Sequence, residues 1–263
     1  MTEPRPLALV TGASSGIGFE LARQFAENGF DLLVNAEDPT IDTVAARLRS
    51  SGTAVSGFQA DLRTAAGVDA LWDAVQATGR PLAAAALNAG VGKGGPFVEN
   101  PIEDELAIID LNVRSTVLLA KHVLRGMAAR GEGRVLFTSS VASTMPGPYQ
   151  AVYNASKSFV QSLTEALQEE LKDTAVTLTA LMPGPVETEF FARADMLDTP
   201  VGTSSKDDAA DVARQGLSAL FAGEKKVLAA SLMTKVQGAV SGVLPDALKA
   251  KAHAAMAKPA DQD

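Results

Sequence analysis

Short apolar runs alternate with helical patterns along nearly the whole chain, and no other feature restricts its fold so tightly. The runs fall at residues 7–10, 32–34, 54–58, 82–87, 134–138, 176–181 and 226–229. Helical patterns fall between them, at 17–28, 41–50, 65–76, 103–129, 149–171 and 208–221. In the first of these, Ile17, Leu21, Phe25 and Ala26 share one helical face, and Gly29 ends it. Strands apolar on both faces, each followed by a helix, require cover on both sides of a sheet. The expected fold class is therefore α/β: a doubly wound parallel sheet with helices on both faces. Neither a linker nor an internal repeat interrupts the pattern, so residues 1–263 are expected to form a single domain. Residues 258–263 read as a frayed tail.

The first apolar run ends in Thr11-Gly12-Ala13-Ser14-Ser15-Gly16-Ile17-Gly18, which opens the first helix. Glycines let a backbone adopt unusual angles and approach a pyrophosphate closely. Free amides and the positive end of a helix then favour the phosphate charge. The spacing G-x-x-x-G-x-G differs from the usual dinucleotide fingerprint G-x-G-x-x-G, and a tight strand-to-helix turn without a ligand is the alternative.

A second pattern is Tyr153-Asn154-Ala155-Ser156-Lys157, which puts Tyr153 and Lys157 one helical turn apart on one face. A free tyrosine titrates near pH 10, too high for efficient proton transfer at neutral pH. An adjacent ammonium would stabilise the phenolate and lower that value. Taken alone, the same pair is more often a solvated face.

Composition removes several other classes. The net charge of −8, with no run of Lys or Arg, argues against nucleic acid as a partner. With no cysteine, disulfides, thiolate metal sites and cysteine nucleophiles are excluded. The two histidines, His122 and His253, are too few and too far apart in sequence for an imidazole zinc site, so no metal is expected. No apolar run reaches the roughly 18 residues that a membrane span needs. The polar opening, residues 1–6, lacks a signal core, and a cytoplasmic location is the expectation.

Taken together, these pieces resemble the short-chain dehydrogenase/reductase family, in its compact subclass of about this length. The resemblance rests on residues 11–18, Asn88-Ala89-Gly90, Asn112, Ser139-Ser140, the Tyr153/Lys157 pair and Pro183-Gly184, all in the family's order. It implies a Rossmann fold and hydride transfer between a nicotinamide cofactor and a carbonyl or alcohol. Ser140, rather than Ser139, stands at the family spacing before Tyr153 and would hydrogen-bond the substrate oxygen. Tyr153 would give or take the proton at that oxygen. Lys157 would lower the tyrosine pKa and hold the nicotinamide ribose, and Asn112 would anchor a water relaying protons to Lys157. The cofactor itself would meet Gly12, Ser14, Ser15, Gly16, Ile17 and Gly18, then Asp61 with Leu62 at the adenine. Asn88 and Gly90 would lie beside it, and Pro183, Gly184, Val186 and Thr188 would grip the carboxamide. One departure is Leu87, where the family often carries a further Asn.

Cofactor choice in such folds is usually made at the end of the second strand. Here Asn35-Ala36-Glu37-Asp38 offers Glu37 to accept ribose hydroxyls, with no Arg or Lys beside it in sequence. The family's commonest acid would align with Ala36 instead. NAD is favoured over NADP on this reading.

On the substrate side, residues 91–94, the loop 144–150 and the segment after Thr188 are expected to set specificity. Residues 188–204 read as a lid carrying Phe190, Phe191, Met196 and Leu197, which suggests an uncharged, hydrophobic substrate. Lys93 stands near as a cation that could meet an anionic group, or is simply solvated. Residues 231–257 read as a C-terminal helical extension broken at Pro245. The resemblance also implies a homodimer or homotetramer, because the family commonly pairs subunits through its long central helices. A non-catalytic cofactor-binding scaffold or redox sensor is the alternative, though such relatives typically lose the Tyr or the Lys. Epimerases and dehydratases of the family usually carry a longer C-terminal domain than this chain has room for.

Overall fold

The computed structural model of the chain describes residues 5–49, 52–229 and 245–260. Among them, seven strands form one parallel sheet. They are β1 (Leu7–Thr11), β2 (Asp31–Ala36), β3 (Val55–Gln59), β4 (Leu82–Leu87), β5 (Glu132–Thr138), β6 (Ala175–Pro183) and β7 (Lys226–Ala229). Their order across the sheet is β3-β2-β1-β4-β5-β6-β7, with every pairing parallel.

The period-two geometry of the strands splits the core into two layers. Ala8 and Val10 of β1, Leu32 and Val34 of β2, and Leu136 of β5 face one layer. Leu7, Leu9, Leu33, Val135 and Phe137 face the other. The first layer is covered by helices α1 (Gly16–Glu27) and α2 (Thr40–Leu48), and by a later helix that starts at Ala209. The second is covered by α3 (Ala65–Ala77), by the helix beginning at Thr116 and by the helix beginning at Ala151. The inner strands lose apolar side chains to both layers, so their runs read as apolar, whereas the edge strands β3 and β7 are partly exposed.

The predicted long helix at 103–129 is interrupted. It runs as α4 (Ile102–Ile108), a π-helical stretch Ile109–Ser115, then α5 (Thr116–Arg130), where Gly131 closes it with a left-handed φ of 75°. Single π turns inside α-helices need their spare carbonyls satisfied. Here the Thr116 hydroxyl donates to the Asn112 carbonyl at 2.8 Å and the Ser115 hydroxyl to that of Leu111. Beyond it come α6 (Ala151–Glu170), the short α7 (Phe190–Arg193) and α8 (Pro200–Thr203), then α9 (Ala209–Ala222) and α10 (Asp246–Ala257). Of the predicted 231–257 extension, residues 231–244 lie outside the described residues, and α10 is the remainder. Strand order reverses between β1 and β4, and in open α/β sheets that switch point opens a crevice at the strands' carboxyl ends.

Candidate active site

The crevice is a cleft of about 680 Å³. Its floor is laid by the glycine loop after β1. Gly12 and Gly16 both have left-handed φ values, 65° and 55°. A Cβ on Gly12 would stand 2.9 Å from the Ala89 backbone, one on Gly16 2.8 Å from the Thr188 methyl, and one on Gly18 2.0 Å from the Gly12 carbonyl. Each glycine thus lets two segments of the cleft approach. At the head of α1, Ser15 makes no side-chain cap and no acid occupies the first turn, so the helix presents bare amides to the cleft.

The loop is tied to β4 by side chains. The Thr11 hydroxyl accepts from the backbone amides of Asn88 (3.0 Å) and Ala89 (3.1 Å). The Asn88 amide group donates to the Thr11 carbonyl, and its oxygen accepts from Thr138 at 3.0 Å. Thr138 was not among the expected site residues, and a threonine closing an apolar strand carries no distinctive signal in sequence.

At the end of the cleft beside β2 and β3 stand Glu37, Asp38, Asp61 and Leu62. The fold brings cations here that the local sequence around Glu37 lacks. Arg63 reaches Glu37 at 3.0 Å and Asp61 at 2.9 Å, and Arg193 of α7 lies 4.0 Å from Glu37. Hydrogen bonds from Arg63 hold the Asp61 carboxyl below its usual value. Asp38 is lowered too, chiefly by the Thr40 hydroxyl, with a further hydrogen bond from Ser14.

At the opposite end, Ser140, Tyr153 and Lys157 line the cleft together and all three are buried or nearly so. Ser140 sits in extended backbone at the end of β5, and its hydroxyl accepts from the Ala142 amide at 3.1 Å. Ser139 also lines the cleft, but its hydroxyl is committed to the frame, donating to the Lys157 carbonyl at 3.1 Å. The Lys157 ammonium donates to the Thr138 carbonyl at 2.9 Å and lies 5.8 Å from the centre of the Tyr153 ring. Burial pushes the Tyr153 phenol up to about 12, against a hydrogen bond with Ser140 that pulls it down. Burial also pushes the Lys157 amine down to about 8. The tyrosine is thus raised rather than lowered as expected: burial dominates, and the opposing pull comes from Ser140 rather than from Lys157.

Asn112 is buried but does not line the cleft. Its amide grips the backbone of Val91 from both sides, accepting from the N–H and donating to the C=O, each at 2.9 Å. It also donates to Ser156 at 3.0 Å, and Ser156 donates to the Tyr153 carbonyl. The loop between Ser140 and α6 is fixed by Asn154, which donates to the carbonyls of Ala142 and Met145, both at 3.2 Å. A Cβ on Gly147 would stand 2.1 Å from the Asn154 amide carbon, so this loop must pass that side chain as glycine. Asn154 and Ser156 lie inside the Tyr/Lys motif, and their adjacency to it is the one signal that marked them.

Pro183, Gly184, Val186 and Thr188 also line the cleft, as do Ile17 and Gly90. Of the predicted wall, Phe190 and Phe191 line the cleft, and Phe190 leans on Tyr153 with ring centres 5.2 Å apart. Met196 is instead fully buried beneath, against Gly94, and Leu197 is 60% exposed. Lys93 is held by Asp195 and by Asp104 at 3.1 Å, and it does not line the cleft.

With this geometry in view, comparison with known proteins is decisive for the family. The model of the short chain dehydrogenase family matches residues 6–196. This chain belongs to the short chain dehydrogenase family. It is therefore an oxidoreductase of that family, with its seven-stranded parallel sheet. It is 31% identical to the oxidoreductase UcpA of Salmonella typhimurium, over 92% of this chain and 95% of that one. A short-chain dehydrogenase from Sphingobium yanoikuyae solved in complex with NADPH superposes with a TM-score of 0.81 at 30% identity, covering 90% of this chain and 92% of that chain. A short chain dehydrogenase/reductase from Burkholderia phymatum solved with NAD gives 0.80 at 27%, covering 90% and 93%. Among the described residues no cluster of acids and histidines is arranged for a metal, and no helix is long and apolar enough to cross a membrane.

Proposed function

We propose that this chain is an NAD(P)-dependent dehydrogenase/reductase that interconverts a carbonyl and an alcohol on a largely apolar substrate, with Tyr153 as the proton donor and acceptor. One observation carries the reading. A single cleft has the uncapped head of α1 at one end and the buried Ser140 and Lys157 with the partly buried Tyr153 at the other. The glycine cradle fits a dinucleotide, since every Cβ missing from it would close the path of a pyrophosphate or of the segments that flank it. Solved relatives carrying NADPH or NAD support the same cofactor class.

Gly12, Ser14, Ser15, Gly16, Ile17 and Gly18 would hold the phosphates, with Glu37, Asp61 and Leu62 toward the adenosine. Asn88, Gly90, Pro183, Gly184, Val186 and Thr188 would seat the nicotinamide half. When bound, the nicotinamide supplies or accepts the hydride at the reacting carbon. The Ser140 hydroxyl holds the substrate oxygen in place. The phenol of Tyr153, neutral at pH 7, gives that oxygen its proton during reduction. The Lys157 ammonium lies close enough to stabilise the phenolate left behind. Asn112 keeps the Val91 backbone and Ser156 in register, and its place in a proton relay rests on the resemblance. A mere scaffold would not need this buried acid–base cluster, so the catalytic reading is favoured.

Glu37, Asp38 and Asp61 outnumber Arg63 and Arg193, which leaves the adenosine end net negative and favours NAD. Residues 188–204 act as the lid, with Phe190 over Tyr153. Homodimerisation has support from exposed Ile102, Leu106, Ile109 and Val117, which recur along α4, the π-helical stretch and α5, and from Phe159 on α6. The direct test is carbonyl-dependent oxidation of NADH and NADPH over a panel of hydrophobic ketones. Turnover is expected, and its loss in Tyr153→Phe with cofactor binding retained is the expected signature.

A further inference from the structure

The C-terminal helix α10 turns one face into the substrate half of the cleft. Lys249, Ala252, His253, Met256 and Ala257 recur at helical spacing, and all five line it. Met256 and Ala257 continue the apolar wall made by Phe190, Phe191 and Val201. The other end of the stripe is different in kind. The Lys249 side chain is only 12% exposed, and its ammonium meets the Thr144 carbonyl at 3.4 Å and the Asp246 carboxylate at 3.2 Å. Asp246 is itself 77% exposed, so it is a weakly held counter-ion. One turn on, the His253 Nδ1–H donates to the Pro148 carbonyl at 3.1 Å. That bond pins α10 onto the loop that joins Ser140 to Tyr153.

A sheltered ammonium beside the catalytic loop has a chemical consequence. The carboxylates that line the cleft are Glu37, Asp38 and Asp61 at the adenosine end, and Glu189, which pairs with Arg193 at 2.9 Å. Among the described residues, Lys249 meets no carboxylate other than Asp246. The substrate end is thus locally cationic in a chain whose net charge is −8. We propose that Lys249 is a specificity-determining residue that receives a carboxylate on the substrate, so that the preferred substrate is an apolar ketone or secondary alcohol bearing a carboxylate group. A sheltered, charge-assisted contact replaces the exposed and partly hydrated one with Asp246. This rests on the oxidoreductase reading above and refines its uncharged substrate: the body of the molecule is apolar and one end is anionic.

The test pairs medium-chain oxo acids, with the ketone at successive positions, against their methyl esters. Binding is measured by calorimetry on the protein saturated with oxidised cofactor, where a ketone cannot react. Turnover is measured in parallel with reduced cofactor. For at least one ketone position the acid is expected to bind about tenfold tighter than its ester. Lys249→Gln should erase that difference and Lys249→Glu reverse it, with ester binding unchanged in both. In turnover the change should appear in KM, with kcat kept. Equal binding of acid and ester at every position, or equal weakening of both in Lys249→Gln, overturns the proposal while leaving the oxidoreductase reading intact. Lys249-dependent binding of the acid without turnover would sustain the anionic subsite and count against the oxidoreductase reading.

Discussion

Two adjacent serines divide frame from chemistry in this protein. Both line the cleft, but the Ser139 hydroxyl is spent on the Lys157 carbonyl, whereas the Ser140 hydroxyl meets Tyr153. Ser140→Ala should therefore cut turnover by about 10²-fold or more with little change in stability, while Ser139→Ala should cost about 1 kcal/mol of stability with smaller kinetic effects. Kinetics and chemical denaturation on the same two variants separate the cases. Burial of Lys157 makes a second prediction. Its amine titrates near 8 in the folded protein and 10.5 as a free side chain. Between those values the unfolded chain binds more protons, so the buried amine makes stability rise with pH, by up to about 1.4 kcal/mol per unit. Urea titrations from pH 7.5 to 10.5 should show that slope diminished in Lys157→Met. The pH dependence of catalysis follows from Tyr153: alcohol oxidation needs the phenolate and should climb with pH, whereas carbonyl reduction needs the phenol and should not.

Elements carry information that single residues do not. The alternation of runs and helices made the parallel sheet and its two covering layers legible, because the inner strands bury both faces and read as largely apolar. The glycine loop and the Tyr153/Lys157 spacing were legible because both are local in sequence. The break in the long central helix was not, since residues 109–115 carry no Pro or Gly to mark it. The guanidinium groups beside Glu37 were missed because Arg63 follows β3 and Arg193 sits on α7, and neither is near Glu37 in sequence. Met196 and Leu197 have the composition of a pocket wall, yet one is buried against Gly94 and the other faces out. Substituting Glu37→Arg should shift the NADH/NADPH preference toward NADPH by about tenfold or more, read as the ratio of the two dissociation constants. An unchanged ratio would reduce Glu37 to a partner of Arg63.

For the whole molecule, the open question is what covers the apolar row along α4, the π-helical stretch and α5. Ile102, Leu106, Ile109 and Val117 stay exposed on a protein whose two core layers are otherwise closed. A second copy packed there would make the row an interface core. Replacing Leu106 and Ile109 with Lys should then convert the protein from dimer or tetramer to monomer in analytical ultracentrifugation. If the unaltered protein already sediments as a monomer, the row is not a self-association surface.

The central claim is that one cleft binds a nicotinamide nucleotide at the head of α1 and moves a proton through Tyr153 at its far end. It is tested most directly by titrating the wild-type protein and Tyr153→Phe with NADH and NADPH, then adding a hydrophobic ketone to each. Micromolar binding of at least one nucleotide by both proteins, with ketone-dependent oxidation in the wild type alone, is the predicted result. Absence of binding by either nucleotide, or undiminished oxidation in Tyr153→Phe, would contradict it.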